Sequence, residues 1–426
     1  MIHLKRLFLL LPLVLLLFGQ GCRKRPDFFV ERGALDFSTD TIRFDSIFTN
    51  LPSPTERVTV VNNSGENMLI KEVSLKSGAE FDLIFDGLTG DRISNYELAD
   101  GDSAVAFVSF KSQREDDYLY VPDGHTLIIR AGTQLFFTPR IDVDFNLVSG
   151  IVVYGRMLVE GTKGNEVVFQ GSRFGEDYAE TPGQWRGISF GNLARASKIE
   201  HALIKNGFIG VYQEYGNPGF GPKVLIEKSE IRNMSAFGIY SNGFTDNNYV
   251  YPLIRANNSL IHNSATANLG IFGGGKYDFN QCTFANYTVD FRRNSPQMII
   301  NNYDDNVGGI IYYCRTYFRN CIIWGTEEDE FAPDSFPVPN QWDVFFSNTI
   351  IRTTLPLKGS NIISSQDDDF IKFKDPTAGD ADERDYRLEL RSPGVNIGKV
   401  LTGLNTDLDD RLRDAQPDAG CYEYGD

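Results

Sequence analysis

The hexapeptides His201-Ala202-Leu203-Ile204-Lys205-Asn206 and Lys228-Ser229-Glu230-Ile231-Arg232-Asn233 share one pattern: a small residue, any residue, a bulky apolar one, any residue, then Asn. It returns in full at Asn258-Ser259-Leu260-Ile261-His262-Asn263 and Gln281-Cys282-Thr283-Phe284-Ala285-Asn286. Without the last Asn it recurs at Asn320-Cys321-Ile322-Ile323-Trp324-Gly325 and Asn348-Thr349-Ile350-Ile351-Arg352-Thr353. The bulky positions 204, 231, 261, 284, 323 and 351 are 27, 30, 23, 39 and 28 residues apart. A repeat of this length is one turn of a solenoid. Its uneven spacing argues against stacked helix pairs, and its short β-branched runs call for strands.

Strands that stack turn on turn lie about 4.8 Å apart with alternate side chains inside, so like residues stack on like. The small and bulky positions then face a shared interior, and the Asn sits where the strand bends. Residues 126–137, 150–162, 165–171 and 185–190 are apolar-rich and bounded by Gly, and extend the same solenoid upstream. The expected architecture is all-β: a right-handed parallel β-helix of about ten turns over residues 123–374, with a closing segment at 375–426.

Ahead of it, residues 35–112 alternate apolar and polar in about six short runs, as in Val58/Val60, Ile70 and Val105/Phe107, broken by turn signals such as Asn63 to Gly65 and Asp100-Gly101. That is the signature of half-buried antiparallel strands in a small β-sandwich. The triplets Asp40-Thr41-Ile42, Asp45-Ser46-Ile47 and Asp102-Ser103-Ala104 resemble a short O-glycosylation acceptor of Gram-negative envelope proteins, which would modify Thr41, Ser46 and Ser103.

Lys5 and Arg6 precede a twelve-residue apolar run, 7–18, and then Gly19-Gln20-Gly21-Cys22. Residues 1–21 read as a secretory signal peptide, too short to span about 30 Å of hydrocarbon. Small residues ending in Cys resemble a bacterial lipobox, although Gly19 stands where that pattern prefers Leu. The resemblance implies that Cys22 carries the lipid and anchors the chain to the membrane, with 22–34 as a tether. Arg23 after it favours the outer membrane, with cell-surface display open.

Segments Gly124-His125-Thr126-Leu127-Ile128-Ile129 with Gly132-Thr133, and Thr181-Pro182-Gly183-Gln184-Trp185-Arg186-Gly187-Ile188, resemble the right-handed parallel β-helix family with a pectate-lyase-like fold. Ser392-Pro393, Asp407-Leu408-Asp409 and Ala419-Gly420-Cys421-Tyr422-Glu423-Tyr424 resemble the closing segment of anchored surface β-helix proteins, and the first module the immunoglobulin-like one that precedes them. Such a fold serves lyases, hydrolases, adhesins and scaffolds alike, so activity has to come from a site.

Composition narrows the partners. Hydrophobic residues are 41% and charged residues 23% of 426, with 40 Gly, 32 Phe and 19 Tyr, a folded and aromatic-rich chain. Without Lys5 and Arg6 there are 39 cations against 57 carboxylates, formally −18, which disfavours nucleic acid. No catalytic, metal or cofactor set stands out. Asp367-Asp368-Asp369 would alternate faces on a strand and reads as a solvated loop; Asp407, Asp409 and Asp410 lack the Gly and bidentate Glu of a calcium loop and read as a turn or cap. His125, His201 and His262 are scattered, with the last two expected to point into solvent. Cys282 and Cys321 share one column and read as buried thiols, and the pairing of Cys314 and Cys421 is open.

Aromatic side chains in Gly- and Asn-rich stretches are the remaining lead, because a ring face offers apolar area beside a polar edge. Trp185, Trp324, Trp342, Tyr212 and Tyr215 are the candidates for stacking on sugar rings. The first reading is therefore a non-catalytic envelope lipoprotein whose rigid β-helix binds a glycan or an envelope protein. A polysaccharide lyase or glycoside hydrolase is the alternative from the enzyme class, and a structural component of an outer-membrane complex is the third reading.

Overall fold

The computed structural model describes residues 29–30, 33–39, 56–75, 81–90, 92–110, 118–137, 149–173, 180–244, 250–287, 293–304, 309–336 and 338–425. Cys22, Thr41 and Ser46 lie outside these residues. The chain divides into two compact units, Met1–Gln113 and Arg114–Asp426.

In the first unit, strands Asp36–Phe37, Glu56–Val61, Ser103–Phe110, Phe81–Phe85 and Leu88–Thr89 form one antiparallel sheet in that spatial order, and Met68–Ser74 pairs with Arg92–Leu98 in another. Period-two alternation turns Val58, Val60, Leu83, Phe85, Ala104, Ala106 and Val108 of the first sheet inward. There they pack with Ile93 and Leu98 of the second. Ser103 is exposed at the start of its strand.

The second unit is a right-handed parallel β-helix. Each coil runs through three parallel sheets. Sheet A stacks Tyr118–Val121, Gly150–Val153, Ile188–Phe190, Ile209–Gln213, Phe237–Asn242, Ala267–Phe272, Met298–Asn301 and Phe331–Asp334. Sheet B stacks Thr126–Arg130, Arg156–Glu160, Ser197–Glu200, Val224–Glu227, Ile254–Asn257, Gly275–Asn280 and Cys314–Arg319. Sheet C stacks Gln134–Phe137, Val167–Gly171, Ala202–Lys205, Glu230–Arg232, Leu260–His262, Thr283–Asn286 and Ile322–Gly325. The strand Trp342–Ile351 turns the corner without a break and ends both B and C, with Gly359–Ser364 paired beside it. The described residues thus hold eight coils and part of a ninth, fewer than the ten expected, because the chain after residue 364 stops coiling and folds back on sheet C.

The repeat works as its spacing predicts. Phe169, Ile204, Ile231, Ile261, Phe284, Ile323 and Ile351 are in register on successive coils and fully buried. The residue that opens each hexapeptide is the corner from B to C: His201, Lys228, Asn258, Gln281, Asn320 and Asn348 all have φ between 45° and 54°. Asn tolerates this left-handed geometry better than most residues. The closing Asn206, Asn233 and Asn263 make the next bend, at φ 51° to 63°, and Asn233 Nδ2 donates to Asn206 Oδ1 at 2.7 Å. Small residues follow the first corner because the chain has just reversed there, and Ser259 Oγ donates back to the carbonyl of Asn257 at 2.8 Å. Cys282 and Cys321 occupy the same column as free thiols, and Cys314 and Cys421 are also free and buried.

Residues 365–425 cover the outer side of sheet C. Leu260, Ala285, Ile322, Trp324 and Ile350 point away from the coil interior yet are buried against Ile371, Phe373, Tyr386, Leu388, Leu408 and Cys421. Asp407 is a turn cap: Oδ1 accepts from the amides of Asp409 (2.9 Å) and Arg411 (2.8 Å), and Oδ2 from that of Glu423 (2.8 Å). Asp367 to Asp369 form an exposed loop in which the Asp369 amide donates to Asp367 Oδ1 at 3.1 Å.

Late in the helix the Arg293 guanidinium donates twice to Glu330, each time at 2.6 Å, with both side chains fully buried. Amides of Gln297 (3.0 Å) and Glu327 (3.1 Å) complete the carboxylate's partners. Replacing one member strands a buried charge. Glu330→Gln is expected to lower unfolding free energy by about 3–5 kcal/mol in urea titration, whereas Glu160→Gln, which removes an exposed pair with Arg130, changes it by less than about 1 kcal/mol.

Candidate functional site

The outer side of sheet A is left open, and it is aromatic. Side chains that alternate with the buried Val211, Ile239 and Leu269 face outward there. Tyr212 and Tyr240 are in register on adjacent coils, with ring centroids 5.4 Å apart. Phe272 stacks on Tyr240 at 5.0 Å, and Phe237 meets Tyr240 edge-on at 5.0 Å. Gly270 lies between the rings: a Cβ there would come within 2.8 Å of both Phe237 and Phe272, so only glycine lets them approach. On earlier coils Tyr120 packs on Tyr154 at 5.7 Å, and the Arg186 guanidinium lies 5.3 Å from the centre of the Tyr118 ring while donating to its hydroxyl at 3.2 Å.

These side chains wall a hollow of about 270 Å³ lined by Arg186, Ser189, Ile209, Tyr212, Tyr240 and Asn242. Asn242 Nδ2 donates to the Tyr212 hydroxyl at 3.0 Å. Burial, followed by the charge of Glu214, raises the Tyr154 and Tyr212 phenols above their ordinary range, and Arg186 opposes it in both. Both phenols therefore stay protonated donors at neutral pH.

Beside the hollow the chain leaves sheet A through residues 214–222. Lys223, fully buried, pins this insert by donating to the carbonyls of Glu214 (2.6 Å) and Tyr215 (2.8 Å). Burial pulls its amine down to about 7, with Glu214 pulling the other way. A neutral amine still has two hydrogens, enough for both carbonyls.

Of the five aromatic residues singled out from sequence, Tyr212 lines the hollow and Tyr215, 47% exposed, stands on the adjoining insert. Trp342 is half-buried on sheet B, opposite Cys314, and takes no part. Two expectations are overturned. Trp185 is fully buried, stacked 4.2 Å from Phe137, with Nε1 donating to the Lys205 carbonyl at 2.8 Å. Trp324 does face away from the coil interior, but the closing segment lies over it, with Phe370 at 5.6 Å, so it is equally closed to a ligand. The same cover buries His201 and His262, which were expected in solvent.

Reading the sequence missed Tyr118, Tyr120, Tyr154, Phe237, Tyr240 and Phe272. A signal was present: Gly210-Val211-Tyr212 and Gly238-Ile239-Tyr240 repeat 28 residues apart, one coil, with the Tyr out of phase with the inward column.

The densest charges elsewhere belong to the closing segment. Burial would raise Glu230, but Arg232 and His262 hold its carboxyl down at about 2. Arg232 bonds Asp382 of the closing segment, and His262 Nε2 lies 3.0 Å from Glu230. Among the described residues no three His, Cys, Asp or Glu side chains are placed to hold a metal ion.

No protein-family model matches this chain, and no curated protein matches it. Solved structures do. The Agl-KA catalytic domain is 14% identical over 74% of this chain and 80% of its own, with a TM-score of 0.26. The catalytic unit of a thermostable GH87 α-1,3-glucanase from Streptomyces thermodiastaticus strain HF3-3 is 9% identical over 78% and 84%, at 0.23. Pectate lyase Pel9A is 13% identical over 72% and 88%, also at 0.23. Scores this low carry nothing about chemistry, and the β-helix stands on its own strand order.

The Lys223 amine sets a pH dependence. Folded, it gives up its proton near pH 7; unfolded, near the ordinary lysine value of 10.5. Between these the unfolded chain binds more protons, so stability rises as pH goes from about 7 to about 10. Thermal melts across that interval are expected to show the rise in the native protein and to lose much of it in Lys223→Met.

Proposed function

We propose that the protein is an envelope lipoprotein that binds a polysaccharide along the open face of sheet A. The observation that carries this is the row Tyr212, Tyr240 and Phe272, with centroids 5.4 and 5.0 Å apart on three successive coils. Rings held at one-coil intervals form a strip of apolar edge along which successive sugars lie, while Asn242, Ser189 and Arg186 offer polar atoms to their hydroxyls. A rigid sheet holds the rings in place before the ligand arrives, which spares ordering entropy on binding.

Cleavage of the bound chain, by a lyase or hydrolase route, is the second reading. It is favoured by Glu214 and Arg186, whose opposite charges both act on the Tyr154 and Tyr212 phenols. Proton transfer in either reaction needs such positioned groups.

A panel of neutral and acidic polysaccharides, titrated calorimetrically and assayed in parallel for new reducing ends and unsaturated ends, tests both readings. Tyr240→Ala is expected to weaken binding by about tenfold, the equivalent of ~1.4 kcal/mol, and Trp342→Phe to leave it unchanged. Equal affinity in wild type and Tyr240→Ala would remove the site from sheet A. Product formation abolished by Glu214→Gln, with binding retained, would establish the second reading over the first.

The anchor rests on the apolar run 7–18 and on Cys22. Palmitate labelling in the native host is expected to disappear in Cys22→Ser, with the protein moving from the membrane pellet to the soluble fraction. Unchanged labelling would exclude Cys22 as the acylated residue.

A further inference from the structure

Sheet B is open on its outer side as well, and there the balance of charge reverses. Arg255, Asp278 and Tyr317 are in register on three successive coils, and Asn257, Asn280 and Arg319 form the column beside them. Asp278, only 8% exposed, holds both guanidinium groups. Arg255 donates to Oδ2 through Nη2 at 2.8 Å and Nε at 3.3 Å, and Arg319 donates to Oδ1 through Nη1 at 3.2 Å. Arg319 is further fixed by the Asn280 side-chain oxygen at 3.0 Å and by the Tyr317 ring, 4.7 Å from the guanidinium carbon. A single carboxylate thus aims two forks into one hollow, about 310 Å³ in volume.

The far wall is apolar. Leu401 and Leu404 of the closing segment face the two arginines across the hollow. The preceding stretch is fastened to the sheet corner by Asn320, whose Nδ2 donates to the Lys399 carbonyl at 2.7 Å and whose Oδ1 accepts from the Lys399 amide at 3.1 Å.

One step along the same strands, Lys276 is in register with Arg315, and Arg315 with Asp343. Asp343 is taken up by Lys358 at 2.7 Å and approached by Arg315 at 3.7 Å. This patch sets five cations, Arg255, Lys276, Arg315, Arg319 and Lys358, against two carboxylates, Asp278 and Asp343. Glu227, one coil before Asn257, lies 3.6 Å from Lys198. Burial and the neighbouring Arg315, Arg255 and Arg319 lower the Lys276 amine from its ordinary value, against the pull of Asp278. In a chain of formal charge −16 this local surplus of positive charge runs against the whole.

We propose that this hollow is a binding site for a phosphate monoester, with Arg255 and Arg319 gripping its oxygens and Leu401 and Leu404 seating the group that carries it. Guanidinium forks match an oxyanion through paired, charge-assisted bonds. Beyond its bonds to Asp278, Arg255 keeps Nη1, and Arg319 keeps Nε and Nη2 beyond its bonds to Asp278 and Asn280. The local excess of positive charge suits a group that is mostly dianionic at pH 7, with a second pKa near 6, better than a singly charged carboxylate or sulfate ester. The phosphate could come from a lipid headgroup or from a soluble phosphorylated sugar. The site lies on a different sheet from the tyrosine row and does not rest on the polysaccharide reading.

The experiment uses the mature protein with inorganic phosphate as the first probe, followed by thermal melts and calorimetry, and methyl sulfate, a tetrahedral monoanion, at matched ionic strength as the comparison. Phosphate is expected to raise the melting temperature and to bind at least tenfold more tightly than methyl sulfate, with affinity falling as pH drops below about 6. Arg255→Gln/Arg319→Gln is expected to weaken phosphate binding by about tenfold or more. Because that variant leaves Asp278 unpaired, Lys276→Gln serves as a second one that breaks no ion pair and is expected to weaken binding about threefold. Sedimentation with vesicles of phosphatidic acid in phosphatidylcholine would assign the phosphate to a headgroup; glucose 6-phosphate binding without vesicle binding would assign it to a soluble ester. No response to phosphate, equal response to methyl sulfate, or unchanged affinity in both variants would overturn the proposal. Tyr240→Ala is expected to bind phosphate like the wild type, so failure of one site is read separately from failure of the other.

Discussion

Everything in the second unit depends on like side chains stacking in register on successive coils. The column Phe169, Ile204, Ile231, Ile261, Phe284, Ile323 and Ile351 is continuous, dry and parallel to the axis. Each coil alone exposes two edges and a strip of apolar surface, so it gains burial only from the coils above and below. A second column, Phe279, Phe318 and Phe346, stacks rings at 5.1 and 5.0 Å with interplanar angles of 13° and 9°. Any residue whose shape breaks such a stack disturbs two neighbours at once, which is why the inward positions vary so little in type.

Because the interior is filled by the helix itself, function is left to the three outer sides, and these have different fates. Sheet C is roofed by the closing segment, whose ion pairs (Lys163 with Asp409, Lys228 with Asp410, Arg232 with Asp382) fasten it along several coils. Sheets A and B stay open. On A the outward residues are aromatic and weakly charged; on B they are arginines and carboxylates in columns. A parallel ladder multiplies whatever one coil displays, so a single outward tyrosine becomes a row and a single arginine becomes a patch.

Much of this was legible beforehand. The hexapeptide repeat gave strands, their inward residues, the bend at the closing Asn and the burial of Cys282 and Cys321, because inward packing obeys a period that survives changes in loop length. About ten coils were expected and the described residues hold eight and part of a ninth, since long connections such as the 39-residue step from position 284 to 323 take up chain without adding a coil. Trp324 shows the limit most clearly. Its outward direction follows from the residue before it, yet its burial depends on Phe370 and Ile371, dozens of residues downstream in another part of the chain.

The sequence by itself determined that this protein is a stack of β coils with a small antiparallel module ahead of it, because periodic apolar residues can be buried only by their own repeats. Only the tertiary structure decided which faces meet solvent, and hence that the open aromatic row runs through Tyr212 and Tyr240 while Trp185 and Trp324 are buried. The reason is physical: direction relative to the strand is a local property with period two, whereas exposure depends on whether a distant segment comes to lie on top.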